Sequence, residues 1–287
     1  MTTRAEKTRL LAELKERVRR IEGIGGADGR AVAPLGVPDL DAALPGGGLA
    51  LGAVHEVLGM DRRLDTGAAT GFAAVLLGRL AAGRGPLFWV TRGRDLYAPG
   101  LAALGIEPGR LILVQAESDA DALWALEEAL RCPSVGAVLG EAAELDMTAS
   151  RRLQLAAESS GVPGVVLRLG PRRLEANACV TRWRLEAVAA GAADVAVGGR
   201  ERGQGAVLGG GDLADRLDAR WADGLHARWR AALLRCRGGR PGDWLLTWLG
   251  TRLEGRAAAA EPARRVAAAG EGLAAERVVQ LRVGNVR

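Results

Sequence analysis

Lysine is almost missing from this chain: only Lys7 and Lys15 occur in 287 residues, against 37 arginines. An ordinary phosphate loop is therefore excluded. Such a loop needs Gly-x-x-x-x-Gly-Lys-Ser/Thr, with the lysine on the outer phosphates and the hydroxyl on Mg²⁺. A coding bias toward arginine explains the surface, but a planar guanidinium does not replace a compact ammonium inside a tight loop. Cysteine is also scarce. Cys132, Cys179 and Cys236 are isolated and accompanied by only two histidines, so neither a disulfide framework nor a zinc site is expected, and no metal or cofactor is implied. A reducing, cytoplasmic setting fits best. No apolar run approaches the roughly 20 residues of a membrane span, and the first twenty residues are charged throughout, so no leader and no membrane partner are expected. No dense basic block stands out either. The net charge of +5 and pI near 9.8 are diluted by 34 acidic residues, which is compatible with nucleic acid without demanding it.

What is present is enough apolar material for a full core, 48% of residues, laid out with α/β alternation. Residues 4 to 22 place Leu10, Leu11, Leu14, Val18 and Ile21 at helical spacing. This predicts an amphipathic N-terminal helix that either folds back or docks on a partner, with Leu10, Leu14 and Val18 as the contacts. Residues 1–34 form this helix and its linker. The pattern then predicts a strand ending at Gly59, a helix over 66–82 burying Phe72, Val75, Leu76, Leu77 and Leu80, and a strand over 87–90. Next come a helix over 96–104, a strand over 111–114 and a helix over 119–131 with Leu123, Trp124, Leu126, Ala129 and Leu130 inward. A strand over 135–139, a helix over 148–160 burying Leu153, Leu155 and Ala156, and a strand over 165–169 follow. Strands alternating with helices imply a mostly parallel sheet covered by helices. Residues 181–188 and 228–235 read as later strands. The second opens a hairpin that turns at residues 238–242 and is anchored by Trp229, Trp244 and Trp248. Residues 189–215 look like a flexible insertion, and residues 251–287 like a tail that is partly helical or disordered. The domain proper is thus 35–250.

Several residues carry two readings. His55 and Glu56 are neighbours on a strand and point to opposite faces, so they cannot form an acid–base pair; a hydrogen-bonded histidine at the sheet end is the simpler reading. Arg151 and Arg152 open a helix and serve either as a charged face or as phosphate or partner contacts. Arg172, Arg173, Arg182 and Arg184 surround Trp183, a mixture that suits single-stranded DNA but equally arises from alternation on an edge strand. Trp221, Trp229 and Arg230 are interface-type residues, or core tryptophans with a charged neighbour.

Several phrases occur in order: Leu-Pro-Gly-Gly-Gly-Leu (44–49), His55-Glu56-Val57, Ala68-Ala69-Thr70-Gly71-Phe72, Tyr97-Ala98-Pro99-Gly100-Leu101, residues 123–131, Ser150 to Ala156, and Arg237 to Trp244. Together they resemble the ImuA family, whose core is similar to RecA-like recombinases and to SulA. The resemblance implies a RecA-like α/β core. It also implies a damage-induced bacterial protein that joins an ImuB-type polymerase homologue to an error-prone replicative-type DNA polymerase in mutagenic translesion synthesis. Contact with a RecA-like recombinase, with DNA or with a second copy is implied as well, and no catalytic residue is.

Against that family frame three chemical elements of an ATPase are missing. The loop survives only as Gly59, Thr66, Gly67, Thr70 and Gly71 in a longer segment. The strand over 87–90 ends in Thr91-Arg92-Gly93-Arg94 in place of a water-activating Glu. The strand over 135–139 is followed by Gly140-Glu141 in place of a magnesium-orienting Asp, and that Glu is a relic or a solvated loop residue. Losing these together removes most of the electrostatic stabilisation of phosphoryl transfer. Weak anion binding by the backbone at residues 67–72 stays open, because helix N-termini attract anions without a lysine. A SulA-like cell-division inhibitor and an ATPase with an unconventional loop are the alternative readings.

Overall fold

The computed structural model describes residues 31–93, 96–188 and 227–258. The amphipathic helix with Leu10, Leu14 and Val18, the 189–215 insertion, Trp221 and most of the tail lie outside the described residues.

The chain enters through β1 (Val32–Ala33), α1 (Pro38–Asp41) and β2 (Leu49–Ala50), where β1 and β2 pair as a small antiparallel ribbon. A nine-stranded sheet follows. Its strands are β3 (Val54–Gly59), β4 (Leu87–Thr91), β5 (Leu111–Gln115), β6 (Ala137–Glu141), β7 (Gly164–Leu169), β8 (Thr181–Ala187), β9 (Ala227–Cys236), β10 (Gly242–Trp248) and β11 (Leu253–Ala257). They run side by side in the order β11-β10-β9-β8-β3-β7-β6-β4-β5. From β8 through β5 all pairings are parallel, and β8 to β11 continue antiparallel. The expected α/β architecture with a mostly parallel sheet is therefore present.

Helices cover both faces, which is why the central strands are apolar on both sides. On one face lies α2 (Thr66–Ala81) with the short α3 (Ala98–Ala102); on the other lie α4 (Asp119–Leu130) and α5 (Met147–Ser160). The two faces gather separate apolar clusters. Phe72, Leu76, Leu80, Trp89, Leu139, Trp183, Trp229 and Trp244 belong to the α2 side, and Val54, Leu126, Leu130, Val138, Leu153 and Val166 to the other. Burying Phe72, Val75, Leu76, Leu77 and Leu80 stabilises the α2 contact by on the order of 10 kcal/mol before chain entropy is set against it. Ser118 and Asp146 start α4 and α5 by accepting hydrogen bonds from the amides of Asp121 and Ala149.

Five expectations change. Trp124 is 63% exposed and Leu155 48% exposed. Both fall on the outer face of their helices, because the buried stripe of α4 runs through Ala122, Leu126, Ala129 and Leu130 and that of α5 through Leu153, Ala156 and Ala157. The helix over 96–104 shrinks to Ala98–Ala102, since Gly105 takes a positive φ of 84° and turns the chain. β8 is an interior strand between β3 and β9, not an edge. Leu253–Ala257, the start of the segment expected to be a partly helical or disordered tail, instead continue the sheet as β11, paired antiparallel with β10.

Candidate functional site

The carboxyl ends of β3, β4, β6 and β7 open onto a cleft of about 670 Å³ beside the start of α2. This is where parallel α/β sheets place their ligands. Thr66, Gly67, Thr70 and Gly71 line it from the helix, Arg62 from the loop, Arg92 and Tyr97 from beyond β4, and Glu141 from β6. Four of the five sequence-predicted loop residues, Thr66, Gly67, Thr70 and Gly71, are thus gathered at one site, and Thr66 and Gly71 are turned to another use.

Residues 60–65 close on themselves. Asp61 Oδ1 accepts hydrogen bonds from the amides of Arg63 at 2.7 Å and Leu64 at 3.1 Å, and Asp65 Oδ2 accepts from the Asp61 amide at 2.9 Å. A phosphate loop turns such amides toward its ligand; here carboxylates of the loop occupy three of them. Thr66, at the position of a magnesium-binding hydroxyl, donates to the carbonyl of Arg62 at 2.6 Å. Arg62 lies along Gly170, where an added Cβ would meet its Cγ at 2.3 Å, and its guanidinium donates to the Leu169 carbonyl at 3.2 Å. Arg62 therefore latches the loop across the end of β7. Gly170 has φ of +60° and makes room for this side chain.

Gly59 and Gly71 serve packing, whereas Gly67 has open space around it. An added Cβ on Gly59 would meet Ala69 Cβ at 3.1 Å, and one on Gly71 would meet the Trp229 ring at 3.1 Å. Two residues singled out for different roles, Gly71 and Trp229, are therefore in contact. Trp229 is buried and stands edge-on to Phe72 with ring centroids 6.0 Å apart. It is a core residue, and its neighbour Arg230 is bound to Asp243 through Nε at 2.8 Å and Nη2 at 2.6 Å.

Glu141 is not a solvated loop residue. Its two oxygens accept from Trp89 Nε1 at 3.0 Å and Thr91 Oγ1 at 2.8 Å, so the carboxylate spans two adjacent strand ends. Arg92 is paired with Asp119 at 2.8 Å. The cleft and its loop therefore carry Arg62, Arg63 and Arg92 beside the carboxylates of Asp61, Asp65 and Glu141, with Asp119 engaging Arg92. The charges nearly balance, and Arg62 and Arg92 are already engaged by Leu169 and Asp119, so no concentrated positive field of the kind a polyphosphate site needs is present. Among the described residues no group of three His, Cys, Asp or Glu could hold a metal ion.

The four arginines proposed for DNA separate. Arg172 and Arg173 are exposed, and Arg184 faces Glu186 at 3.3 Å. Arg182 is drawn into a buried network that sequence reasoning missed. Its Nε donates to Glu56, which is fully buried and also accepts from Arg168 Nη1 at 2.8 Å and Asn177 Nδ2 at 2.9 Å. The register explains the grouping: Arg182 stands opposite Glu56 across β3 and β8, and Arg168 lies diagonally on β7. Arg168 further donates to the carbonyls of Ala143 and Arg173, and Arg182 to that of Glu175. The network thus ties the segment between β7 and β8 to the sheet. A signal existed in sequence, since Glu56, Arg168 and Arg182 are charges inside otherwise apolar strands.

On the opposite face of β3, His55 is held between Thr181 Oγ1 at 2.8 Å and the Ala50 carbonyl at 3.0 Å. Burial lowers its pKa to about 4, against a smaller raising effect of the Ala50 carbonyl. Burial also pushes the Cys179 thiol up to about 12. Neither has a reacting partner: the histidine is structural and the thiol inert. Arg151 and Arg152 are both exposed, and Arg152 pairs with the buried Glu127 at 2.6 Å.

Fold and cleft together define an α/β protein with a cleft at the carboxyl ends of a mostly parallel sheet, bordered by a loop whose amides are held by its own carboxylates. Protein ImuA of Caulobacter vibrioides, in strain NA1000/CB15N and again in strain ATCC 19089/CIP 103742/CB 15, is 40% identical to this chain over 226 residues, 75% of this chain and 82% of the relative. The chain belongs to the ImuA family. No family model matches it. Among solved structures, SulA from Pseudomonas aeruginosa aligns at 24% identity over 41% of this chain and 98% of that one, with a TM-score of 0.36. No described helix is long and apolar enough to cross a membrane.

Proposed function

We propose that this chain is a non-catalytic adaptor of mutagenic translesion DNA synthesis, joining an ImuB-type polymerase homologue and an error-prone replicative-type polymerase. Membership of the ImuA family points to that system. The observation that carries the non-catalytic part is the loop over residues 60–65, whose amides are taken by Asp61 and Asp65 and which Arg62 holds against β7. With the loop amides so occupied and its arginines engaged elsewhere, the cleft offers little to a triphosphate. Partner binding then falls to the surface, including the exposed arginines Arg172 and Arg173 and the segments outside residues 31–258.

The test has two arms. The purified chain is assayed for ATP binding and hydrolysis, alone and with single-stranded DNA, and for capture of the ImuB-type polymerase homologue and of the division GTPase FtsZ. Capture of the polymerase homologue without ATP binding or turnover is expected. Turnover abolished by Arg62→Ala or Glu141→Gln would replace the adaptor by an ATPase, and selective capture of FtsZ would replace it by a division inhibitor.

A further inference from the structure

β5 closes one side of the sheet, and among the described residues its only strand neighbour is β4. Its sequence, Leu111-Ile112-Leu113-Val114-Gln115, has no charge, proline or glycine. Ile112 and Leu113 are both exposed although they point to opposite faces. A strand edge of this kind is a template for another strand, and proteins ordinarily blunt such edges with charge, proline or a bulge. The far edge, β11, is blunted in that way: it exposes Glu254, Gly255 and Arg256.

The chain contains a fitting occupant. After Ala258 about twenty residues rich in Ala, Gly, Glu and Arg lead to Val278-Val279-Gln280-Leu281-Arg282-Val283. This run is rich in β-branched residues, and from Val279 it alternates with period two: Val279, Leu281 and Val283 share one parity, and Gln280 and Arg282 the other. Twenty residues can span about 66–72 Å when extended. The nine strands from β11 to β5 cover roughly 38 Å at the usual spacing. The tail therefore reaches the far edge with length to spare, whereas a loop of this length gives no tight hairpin onto β11 itself. Charge agrees. Glu117 and Asp121, exposed just after β5, are acidic, while Arg277 precedes the tail run and Arg282 lies within it.

We propose that residues 278–283 add to the open edge of β5 within the same molecule, extending the sheet to ten strands and covering Ile112 or Leu113. This device keeps an apolar edge from pairing with other chains, and it is independent of the adaptor reading. The test compares the full chain with a chain ending at Glu276. Hydrogen–deuterium exchange of peptides covering residues 111–115 is followed at two protein concentrations, with molar mass measured by light scattering.

In the full chain β5 should exchange about tenfold more slowly than in the shortened one, as expected for gaining edge hydrogen bonds. Protection should not depend on concentration, and the mass should be that of a monomer. Leu281→Asp should reproduce the loss without shortening the chain. Equal exchange in both chains would overturn the proposal. So would protection that rises with concentration alongside a dimer, which would make a second copy the occupant. Faster exchange spread into α2 would place the tail in the core and overturn it as well.

Discussion

Replacing Glu56 with glutamine tests whether the buried network holds the cleft's floor in place. The carboxylate accepts from three side chains, the guanidinium of Arg168 at 2.8 Å, the Asn177 amide at 2.9 Å and Arg182 Nε. Arg168 is only 1% exposed and cannot turn to water. Glutamine keeps one acceptor oxygen but sets an N–H against donors, and it leaves Arg168 with only the exposed Glu144 at 3.5 Å and Arg182 without its carboxylate. Breaking a buried pair from one side costs about 3–5 kcal/mol. For a domain of this size that lowers Tm by about 10 °C or more. Urea unfolding followed by tryptophan fluorescence reads the loss directly. The companion variant Glu56→Gln/Arg168→Met removes the more deeply buried of the two stranded charges, so the two changes should couple by more than about 1 kcal/mol, the double variant being less damaged than the sum of the singles. A single-variant loss under about 1 kcal/mol, or plain additivity, would refute the reasoning. The same variant should loosen the 170–180 segment and with it Gly170, on which Arg62 rests.

Other outcomes follow from single positions. His55 is held neutral with its pKa near 4, while the unfolded chain protonates near 6.5. The unfolded state therefore takes up the proton first as pH falls, and stability that is complete above about pH 6.5 declines toward pH 4 by up to about 3 kcal/mol; urea midpoints from pH 7 to 4.5 should show this slope, and His55→Gln should flatten it. Gly71→Val should cost about 1–3 kcal/mol by crowding Trp229 and should shift its near-ultraviolet circular dichroism; a stable variant with unchanged signal would show that the glycine is not a packing residue. Trp124→Ser should stay within about 0.5 kcal/mol of the parent in urea unfolding. Trp244→Ala, in the core, should lose about 3–5 kcal/mol by the same measurement.

The alternation of strands and helices was legible because nearly every element of the α/β core carries an apolar period of its own. Trp124 and Leu155 were misread because helical spacing alone does not say which apolar residues share a stripe once the helix is covered on one side only. β11 escaped because Leu253-Glu254-Gly255-Arg256-Ala257 has no β-branched residue; it is held by pairing with β10, a tertiary cause that outweighs local preference. The loop's missing lysine was visible, but its closure was not. That closure depends on Asp61 and Asp65 meeting backbone amides and on Arg62 meeting Gly170, about 108 residues away. Gly71 read as a phosphate glycine because its reason, Trp229, comes from β9 on the far side of the sequence.

The losses at the cleft belong together. Without a lysine, the negative charge of a phosphate has no fixed partner, and the amides of the loop must be satisfied from within the chain. Asp61 and Asp65 satisfy them and so add negative charge at the start of α2, where the helix dipole stabilises it. Once those carboxylates are in place, a lysine restored at residue 65 alone would not rebuild a nucleotide site. The change Asp65→Lys would delete one amide acceptor, place a cation at the positive end of α2 and leave Asp61 and the Arg62 latch intact. It should therefore destabilise the chain by about 1–2 kcal/mol without conferring ATP binding. Equilibrium unfolding and a fluorescent nucleotide titration measure both sides of that statement. Tight nucleotide binding by this single variant would show that the loop is open and that its closure by Asp61 and Arg62 is not what separates this cleft from a working one.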